Sequence, residues 1–267
     1  MAGVAVCGAM GRMGRAVLGV LASRPSGLAL SAAVEVPGHP LLGQDAFEAA
    51  GAGKAGVAIT DDFSRAISDA DVAIDFTHAA SSVGHARRAA AAGKAIVIGS
   101  TGFTPEQLAE VRGAAKGIPC VLSPNMSVGV NLMFKVAADV ARVLGEDYDV
   151  EIVEVHHRFK KDSPSGTAVK LADSVAEALG REMKDVGVYG RKGIVGERTR
   201  NEIGVFAVRA GDVVGEHTLI FGGIGERFEI THRAHSRETF ARGAVRAAAW
   251  VVGKPNGLYD MRDVLGL

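Results

Sequence analysis

Cysteine is scarce in this 267-residue chain: Cys7 and Cys120 are its only two, and each sits inside an apolar segment. A disulfide scaffold is not the expected organising device, and a reducing, cytoplasmic setting is predicted instead. An excess of charge of either sign is missing too, because thirty Lys and Arg balance thirty Asp and Glu. That leaves no global attraction to nucleic acid or to an anionic membrane, and neither is a predicted partner. Long apolar runs are also lacking. The apolar start from Ala2 to Gly11 has no basic stretch before it and meets Arg12 well short of spanning length. Neither a signal peptide nor a transmembrane helix is therefore predicted. Internal repeats and low-complexity segments do not occur. What is present is an ordinary globular composition, 48% hydrophobic and 22% charged, with enough chain for one large or two modest domains.

Glycine is abundant, at 35 of 267 residues or about 13%, against roughly 7% in average proteins. Many glycines follow apolar runs, where tight turns and close approach of backbone to a ligand need them. In the first half these runs are short and nearly continuous. Val4 to Cys7 precedes Gly8, Leu28 to Val34 precedes Glu35, and Asp71 to Phe76 precedes Thr77. Ala95 to Ile98 precedes Gly99, and Cys120 to Leu122 precedes Ser123. Strands covered on both faces of a parallel sheet have this pattern. Helices are predicted between them at about 12–23, 79–92 and 105–116, the last opened by Thr104, Pro105 and Gln107. Strand and helix in alternation predict a Rossmann-like, doubly wound α/β domain. The Gly- and Ala-rich segment 37–60 yields no element.

After Asn125-Met126-Ser127 the pattern changes. Val128 to Leu144 predicts one long amphipathic helix ended by Gly145, and Tyr148 to Val155 a strand. Val205–Arg209, Val213–Phe221 and Arg227–Arg233 follow, separated by Gly211-Asp212 and Gly222-Gly223. Antiparallel strands joined by short turns are expected there. Ser236 is placed to cap a final helix over about 237–252. The predicted organisation is a dinucleotide-binding domain from 1–127 and 236–267, and an α+β domain with a mixed or antiparallel sheet over 128–235.

Gly8-Ala9-Met10-Gly11-Arg12-Met13-Gly14 lies between the first strand and the first helix. Glycine at such a turn lets backbone approach a pyrophosphate, whose charge the helix N-terminus favours. The spacing is G-x-x-G-x-x-G rather than the commoner G-x-G-x-x-G, and glycine-rich turns also serve as plain connections. Context strengthens the reading. Glu35 ends the second strand, twenty-one residues past Gly14, where a carboxylate binds the adenosine ribose hydroxyls. Val36 follows, with no cation before His39, which slightly favours NADH over NADPH. Arg12, at the helix start, remains a candidate for a 2′-phosphate.

Glu154-Val155-His156-His157-Arg158-Phe159-Lys160-Lys161-Asp162-Ser163-Pro164-Ser165-Gly166-Thr167 is the most informative stretch. It combines imidazoles, cations and a helix start directly after a β-branched run. Neighbours in a strand point to opposite faces, so His156 and His157 should not do the same job. Unpaired N–H groups at the helix start would bind a carboxylate, with Thr167 adding its hydroxyl. A solvated basic loop is the bland alternative. No metal is expected, since no Cys or carboxylate here has the usual ligand spacing. No Gly-x-Ser-x-Gly elbow supports a nucleophilic triad. His217, His232 and His235, on or beside predicted strands, are expected to be mostly structural.

With these residues in view, the chain closely resembles the 4-hydroxy-tetrahydrodipicolinate reductase (dihydrodipicolinate reductase) family of the diaminopimelate branch of bacterial lysine synthesis. The resemblance spans essentially the whole chain, including Asp75-Phe76-Thr77, Gly99 to Phe103, Asn125 to Asn131, Glu154 to Thr167, Arg209 to Thr218 and Asp260 to Leu265. It implies His156 as catalytic proton donor and Lys160 as a second proton-donating or charge-stabilising residue. It also implies a substrate contact at His157, and carboxylate binding at Gly166 and Thr167. Gly8, Ala9, Met10, Gly11, Arg12, Met13 and Glu35 match the cofactor site. Gly99, Ser100, Thr101, Ser123, Pro124, Asn125 and Met126 match two loops at the nicotinamide end.

The implied reaction is reductive loss of water from a cyclic imine dicarboxylate by NADH or NADPH. The second domain would bind this substrate and carry a homotetramer interface. Val36 departs from the arginine that some members use for NADPH; Phe159 and Ser100 stand where His and Thr are common. Another two-domain amino-acid or semialdehyde dehydrogenase, or a non-catalytic NAD-sensing regulator, are the rival readings.

Overall fold

The computed structural model describes residues 1–23 and 27–267, which divide into two compact units, Met1–Val128 with Arg237–Leu267 and Gly129–Ser236. The first unit begins with β1 (Ala2–Cys7), α1 (Arg12–Ala22), β2 (Leu28–Val34), α2 (Ala46–Ala50), β3 (Ile59–Thr60) and α3 (Phe63–Ser68). It continues through β4 (Val72–Asp75), α4 (Ala79–Ala91), β5 (Ala95–Ile98), α5 (Pro105–Ala115) and β6 (Pro119–Leu122). Then come α6 (Val128–Leu144), β7 (Asp149–His156), α7 (Gly166–Ala178), α8 (Met183–Val186) and β8 (Gly187–Val188). β9 (Ile203–Arg209), β10 (Gly215–Gly222) and β11 (Arg227–Ala234) complete the second unit. The chain ends, in the first unit, with α9 (Glu238–Val251), β12 (Gly257–Tyr259) and α10 (Met261–Leu265).

The seven-stranded sheet of the first unit has the order β12-β6-β5-β4-β1-β2-β3 with parallel pairing throughout. Successive strand residues point to opposite faces, and here both faces are covered. Val4, Val6, Ile74, Val97 and Val121 pack with Leu18 and Leu21 of α1 and Ala248 and Val251 of α9. Ala5, Cys7, Ala73, Ile96 and Ile98 pack with Phe63, Ile67, Val83 and Val111 of α3, α4 and α5. That is why the runs are continuously apolar; each fully buried aliphatic side chain contributes about 1.5–3 kcal/mol. The doubly wound fold expected from the sequence is observed.

The segment 37–60 corrects the sequence reading, since it contains α2 and β3. A side chain organises it rather than an apolar pattern. The Asp45 carboxylate accepts the N–H groups of Phe47, Glu48, Ala55 and Gly56. The last long helix starts at Glu238 with Arg237 at the cap position, one residue beyond the expected Ser236.

The second unit holds a five-stranded mixed sheet in the order β11-β10-β7-β9-β8. β10 and β11 form the expected antiparallel hairpin. β9 does not pair with β10, however: β7 lies between them, parallel to β9 and antiparallel to β10. The short Ala210–Val214 connection passes the end of β7, where Ala210 N–H donates to His156 O (2.9 Å) and Arg158 N–H to Gly211 O (3.1 Å). A five-residue link that resembles a hairpin turn is thus a crossing, which brings the end of β9 beside His156.

One face of this sheet changes character along its length. Val150 faces Ile203 and Phe221, and Ile152 faces Val205 and Leu219. These six pack with Met133 and Ala137 of α6 and with Leu171, Ala172 and Val175 of α7. Two residues further along β7 the same face carries Glu154, opposite His217; two further again it carries His156, opposite Arg209. The apolar rows anchor the sheet, and the polar rows gather at its other end.

Candidate functional site

In the first unit every predicted cofactor segment lies just past the carboxyl end of a parallel strand, where strand order reverses around β1. Gly8 takes the left-handed conformation (φ 65°), and Gly11 N–H closes the turn on Gly8 O at 3.0 Å. A Cβ on Gly14 would stand 2.1 Å from Gly8 O, so only glycine lets α1 pack this closely against the turn. Ala9 N–H donates to Val34 O (3.1 Å) and Met10 N–H to Glu35 Oε1 (2.7 Å). The first-turn N–H groups of Arg12 and Met13 lie outside the helical ladder by construction, and no side chain caps α1 at Gly11. These groups fit a phosphate.

Glu35 braces the turn as well as ending β2, since its second oxygen accepts Val36 N–H at 3.1 Å. A carboxylate with two oxygens still has lone pairs for a ribose diol. Val36 is 63% exposed and brings no charge to this end. Arg15, missed by the sequence reading, donates from Nε to Met10 O (3.0 Å) and from Nη1 to Ala49 O.

The two remaining loops are also built by local bonds. Gly99 N–H donates to Asp75 O (2.8 Å), and buried Ser100 accepts from Ser82 Oγ (2.8 Å), while Thr101 is exposed. Ser123 Oγ donates to Asn125 O (2.9 Å), Asn125 Oδ1 accepts Ser127 N–H (2.9 Å), and Met126 is buried. Pro124 is exposed between them. Beneath these loops Asp75 is fully buried. It accepts from Thr77 N (2.8 Å) and Thr77 Oγ1 (2.6 Å), and pairs with His85 Nδ1 (2.7 Å). Cys7 joins Asp75 and His85 with donor atoms within 4.8 Å of one another. Burial pushes the Cys7 thiol well up from its ordinary range.

In the second unit the catalytic candidates converge. Glu154 is wholly buried and its four donors are a bidentate Arg209 (2.8 and 2.8 Å), His156 Nδ1 (2.6 Å) and Ser165 N–H (2.9 Å). Burial opposes its charge, yet Arg209, His156 and the Ser165 amide outweigh burial and hold the carboxyl below its ordinary range. Burial pushes the His156 imidazole down, against the pull of Glu154, with Lys160 and Arg209 adding to the fall. His156 and His217 meet edge to face, with ring centroids 5.3 Å apart. Desolvation takes His217 to about 3.

Lys160 Nζ bonds Asp162 Oδ1 (2.9 Å), and Asp162 O accepts from Arg209 Nη2 (2.7 Å). His157 is the first residue beyond β7, so strand alternation does not set its direction; its ring lies 6.3 Å from the Phe159 ring, between centroids. Its buried Nδ1 has no hydrogen-bond partner among the described residues. Ser165 caps α7 by accepting Ala168 N–H (3.2 Å), and its hydroxyl meets His217 Nε2 (3.1 Å). Gly166 and Thr167 form the first turn of α7. Anion binding is the chemistry this turn offers.

Glu154, Arg209, Ser165 and His217 were not among the predicted site residues. One signal for Glu154 was present, because i and i+2 share a strand face and place it beside His156. His217, expected to be structural, belongs to the cluster.

The sequence matches the family Dihydrodipicolinate reductase, N-terminus, over residues 2–126 and Dihydrodipicolinate reductase, C-terminus, over residues 129–265. It is 58% identical over 267 residues to 4-hydroxy-tetrahydrodipicolinate reductase of Geobacter metallireducens, covering 100% of both chains. The enzyme of the same name from Anaeromyxobacter dehalogenans is also 58% identical, over 100% of this chain and 98% of that one. Among solved structures, dipicolinate-bound dihydrodipicolinate reductase from Paenisporosarcina sp. TG-14 superposes with a TM-score of 0.76 at 26% identity, covering 97% of each chain.

Proposed function

The chain belongs to the dihydrodipicolinate reductase family, and on that premise we infer that it is an NAD(P)H-dependent oxidoreductase converting 4-hydroxy-tetrahydrodipicolinate to tetrahydrodipicolinate and water, in the diaminopimelate route to lysine. The observation that carries the reading is the buried Glu154–His156 pair beside the first turn of α7, in a chain alike over its full length to these reductases. Identity across both units leaves the semialdehyde dehydrogenase and regulator readings without support of their own.

A bound reduced nicotinamide supplies a hydride. The turn from Gly8 to Met13 holds the pyrophosphate, Glu35 the ribose, and the loops at Gly99–Thr101 and Ser123–Met126 the nicotinamide end. In the second unit Gly166 and Thr167 bind a substrate carboxylate and His157 contacts the ring, which fixes C4 for attack. Loss of water leaves a conjugated ring. Once C4 has taken the hydride, the displaced electron pair needs one proton, and His156 or Lys160 gives it. Acid assistance of this kind is worth about 10²–10⁴-fold.

NADH is the favoured nucleotide, because Val36 supplies no cation for a 2′-phosphate. Two buried, free cysteines support a cytoplasmic setting, and among the described residues no helix is long and apolar enough to cross a membrane. A homotetramer built through the second unit's sheet is supported by the exposed Val208 of β9, which lies on the face opposite to the one packed against α6 and α7.

The test is a coupled assay in which a synthase, pyruvate and aspartate semialdehyde generate the labile substrate while absorbance follows NADH and, separately, NADPH. Turnover of both with the higher kcat/KM for NADH is expected. Binding of both nucleotides without oxidation of either would sink the assignment.

A further inference from the structure

We propose that Glu154, clamped by Arg209, is a positioning residue that fixes His156 in the orientation where Nε2 is the proton-donating nitrogen. The proposal deepens the reading of His156 as the acid and rests on it. Two contacts hold the ring from opposite edges. On one edge, Nδ1 lies 2.6 Å from Glu154 Oε2. On the other, a Cβ placed on Gly215 would stand only 2.9 Å from Nε2, so Nε2 lies directly over the backbone of β10. Glycine at 215 is what leaves the ring that space.

The proton on the ring follows from the donor count. Glu154 Oε1 accepts Arg209 Nη2 and the Ser165 amide; Oε2 accepts Arg209 Nη1 and faces His156 Nδ1. Arg209 and the amide are donors in every state, and the carboxylate they surround is an acceptor only. His156 must therefore carry its hydrogen on Nδ1, whether neutral or charged. The neutral ring keeps Nε2 unprotonated, and the imidazolium has one proton to release, from Nε2. When that proton passes to the reduced ring of the substrate, Nδ1–H stays on Glu154, and solvent reprotonates Nε2 before the next turnover. An Asp that holds a catalytic histidine in its tautomer works by the same logic.

Arg209 has a second role in this arrangement. Its register partner on β7 is His156, and its Nη2 also holds Asp162 O, whose side chain binds Lys160. One guanidinium thus sets the places of both acid candidates. The charged and titratable groups facing His156 are Glu154 on β7, Arg209 on β9, His217 on β10, and Lys160 with Asp162 in the loop before α7. Of these, Glu154 favours the imidazolium through its hydrogen bond and its charge, while Lys160 and Arg209 oppose it.

Glu154→Gln keeps the shape and removes the charge. The expected result is a fall in kcat of about 10²-fold with KM for the reduced nucleotide unchanged. The limb of kcat lost when the acid deprotonates should move toward lower pH by about one unit. An unmoved limb would overturn the proposal, because a merely structural residue would lower activity without displacing it. Nitrogen-15 spectra of the intact enzyme give a readout independent of turnover: Nδ1–H in the neutral wild-type ring is expected, and Nε2–H would overturn it. If Glu154→Gln does not fold, Gly215→Ala serves, since it keeps every charge; it should lower kcat with the pH limb in place, and wild-type kcat would count against the ring position. An inactive wild type with the Nδ1–H signal intact would strike the functional reading while supporting the tautomer.

Discussion

In the first unit the candidate cofactor turns are held largely by backbone groups, Gly11 on Gly8, Ala9 on Val34 and Gly99 on Asp75, with Glu35 bracing the first of them. In the second unit the candidate site is held by largely buried side chains: Arg209 on Glu154 and Glu154 on His156, with the neutral His217 on Ser165. Backbone turns need glycine and short spacings and recognise phosphate by geometry, without a titrating group. A side-chain cluster needs a sheet to array it and an ion pair to satisfy it, and it brings pH dependence with it. The comparison predicts that binding of nucleotide and transfer of the proton respond to different substitutions.

The largest effect expected is on chemistry alone. His156→Gln should reduce kcat by about 10²–10⁴-fold and leave nucleotide affinity, measured by NADH fluorescence, close to wild type. Near-wild-type kcat would remove His156 from the mechanism. A parallel loss of nucleotide affinity would break the separation of the two units' roles.

The reverse case is Gly14→Ala. The added methyl meets Gly8 O at 2.1 Å, a backbone atom that has to move if α1 is to keep its place. Overpacking of this kind costs about 1–3 kcal/mol, and it displaces the turn proposed to bind pyrophosphate. Weaker NADH binding and a lower urea midpoint are expected, with the pH profile of kcat unchanged. Wild-type nucleotide affinity would mean that the turn is a plain connection.

The same contrast explains what could be read in the chain before the structure. β1, β2, β4, β5 and β6 were legible because burial on both faces writes a continuous apolar run, and α5 because Thr104 and Gln107 form a reciprocal capping box. α2 and β3 were not, because Asp45 organises them through hydrogen bonds that leave no periodic trace. The parallel pairing of β9 was misread because the Ala210–Val214 crossing is as short as a turn. In the site, His156 and Lys160 stood together in sequence and announced themselves. Arg209 lies 55 residues from Glu154, and no spacing rule joins them; that contact exists only once β7 has slotted between β9 and β10. Backbone sites are written locally, whereas side-chain clusters are assembled by topology.

The smallest effect, and the sharpest on the comparison, concerns stability against pH. His217 is 3% exposed and its folded pKa is about 3, below the ordinary histidine value of 6.5, because burial disfavours the charged ring. Above pH 6.5 both folded and unfolded chains hold it neutral, and its contribution to stability is fully present. Below 6.5 the unfolded chain takes up a proton that the folded chain refuses, so stability is lost as pH falls from 6.5 toward about 3. The slope from one such group reaches at most about 1.4 kcal/mol per pH unit. His156 and His232 are also lowered by burial and add to the loss over the upper part of that window. His217→Gln replaces the ring by an amide that reaches Ser165 but does not titrate. Its urea midpoint should sit slightly below wild type at pH 7.5 and fall less steeply below 6.5, so that the two curves converge in acid. Hydrogen exchange should localise the acid-dependent opening to β7, β10 and α7 and spare β1, β4 and β5. Parallel pH curves for the two proteins, or opening that begins in the parallel sheet, would show that the acid sensitivity does not originate in the buried cluster.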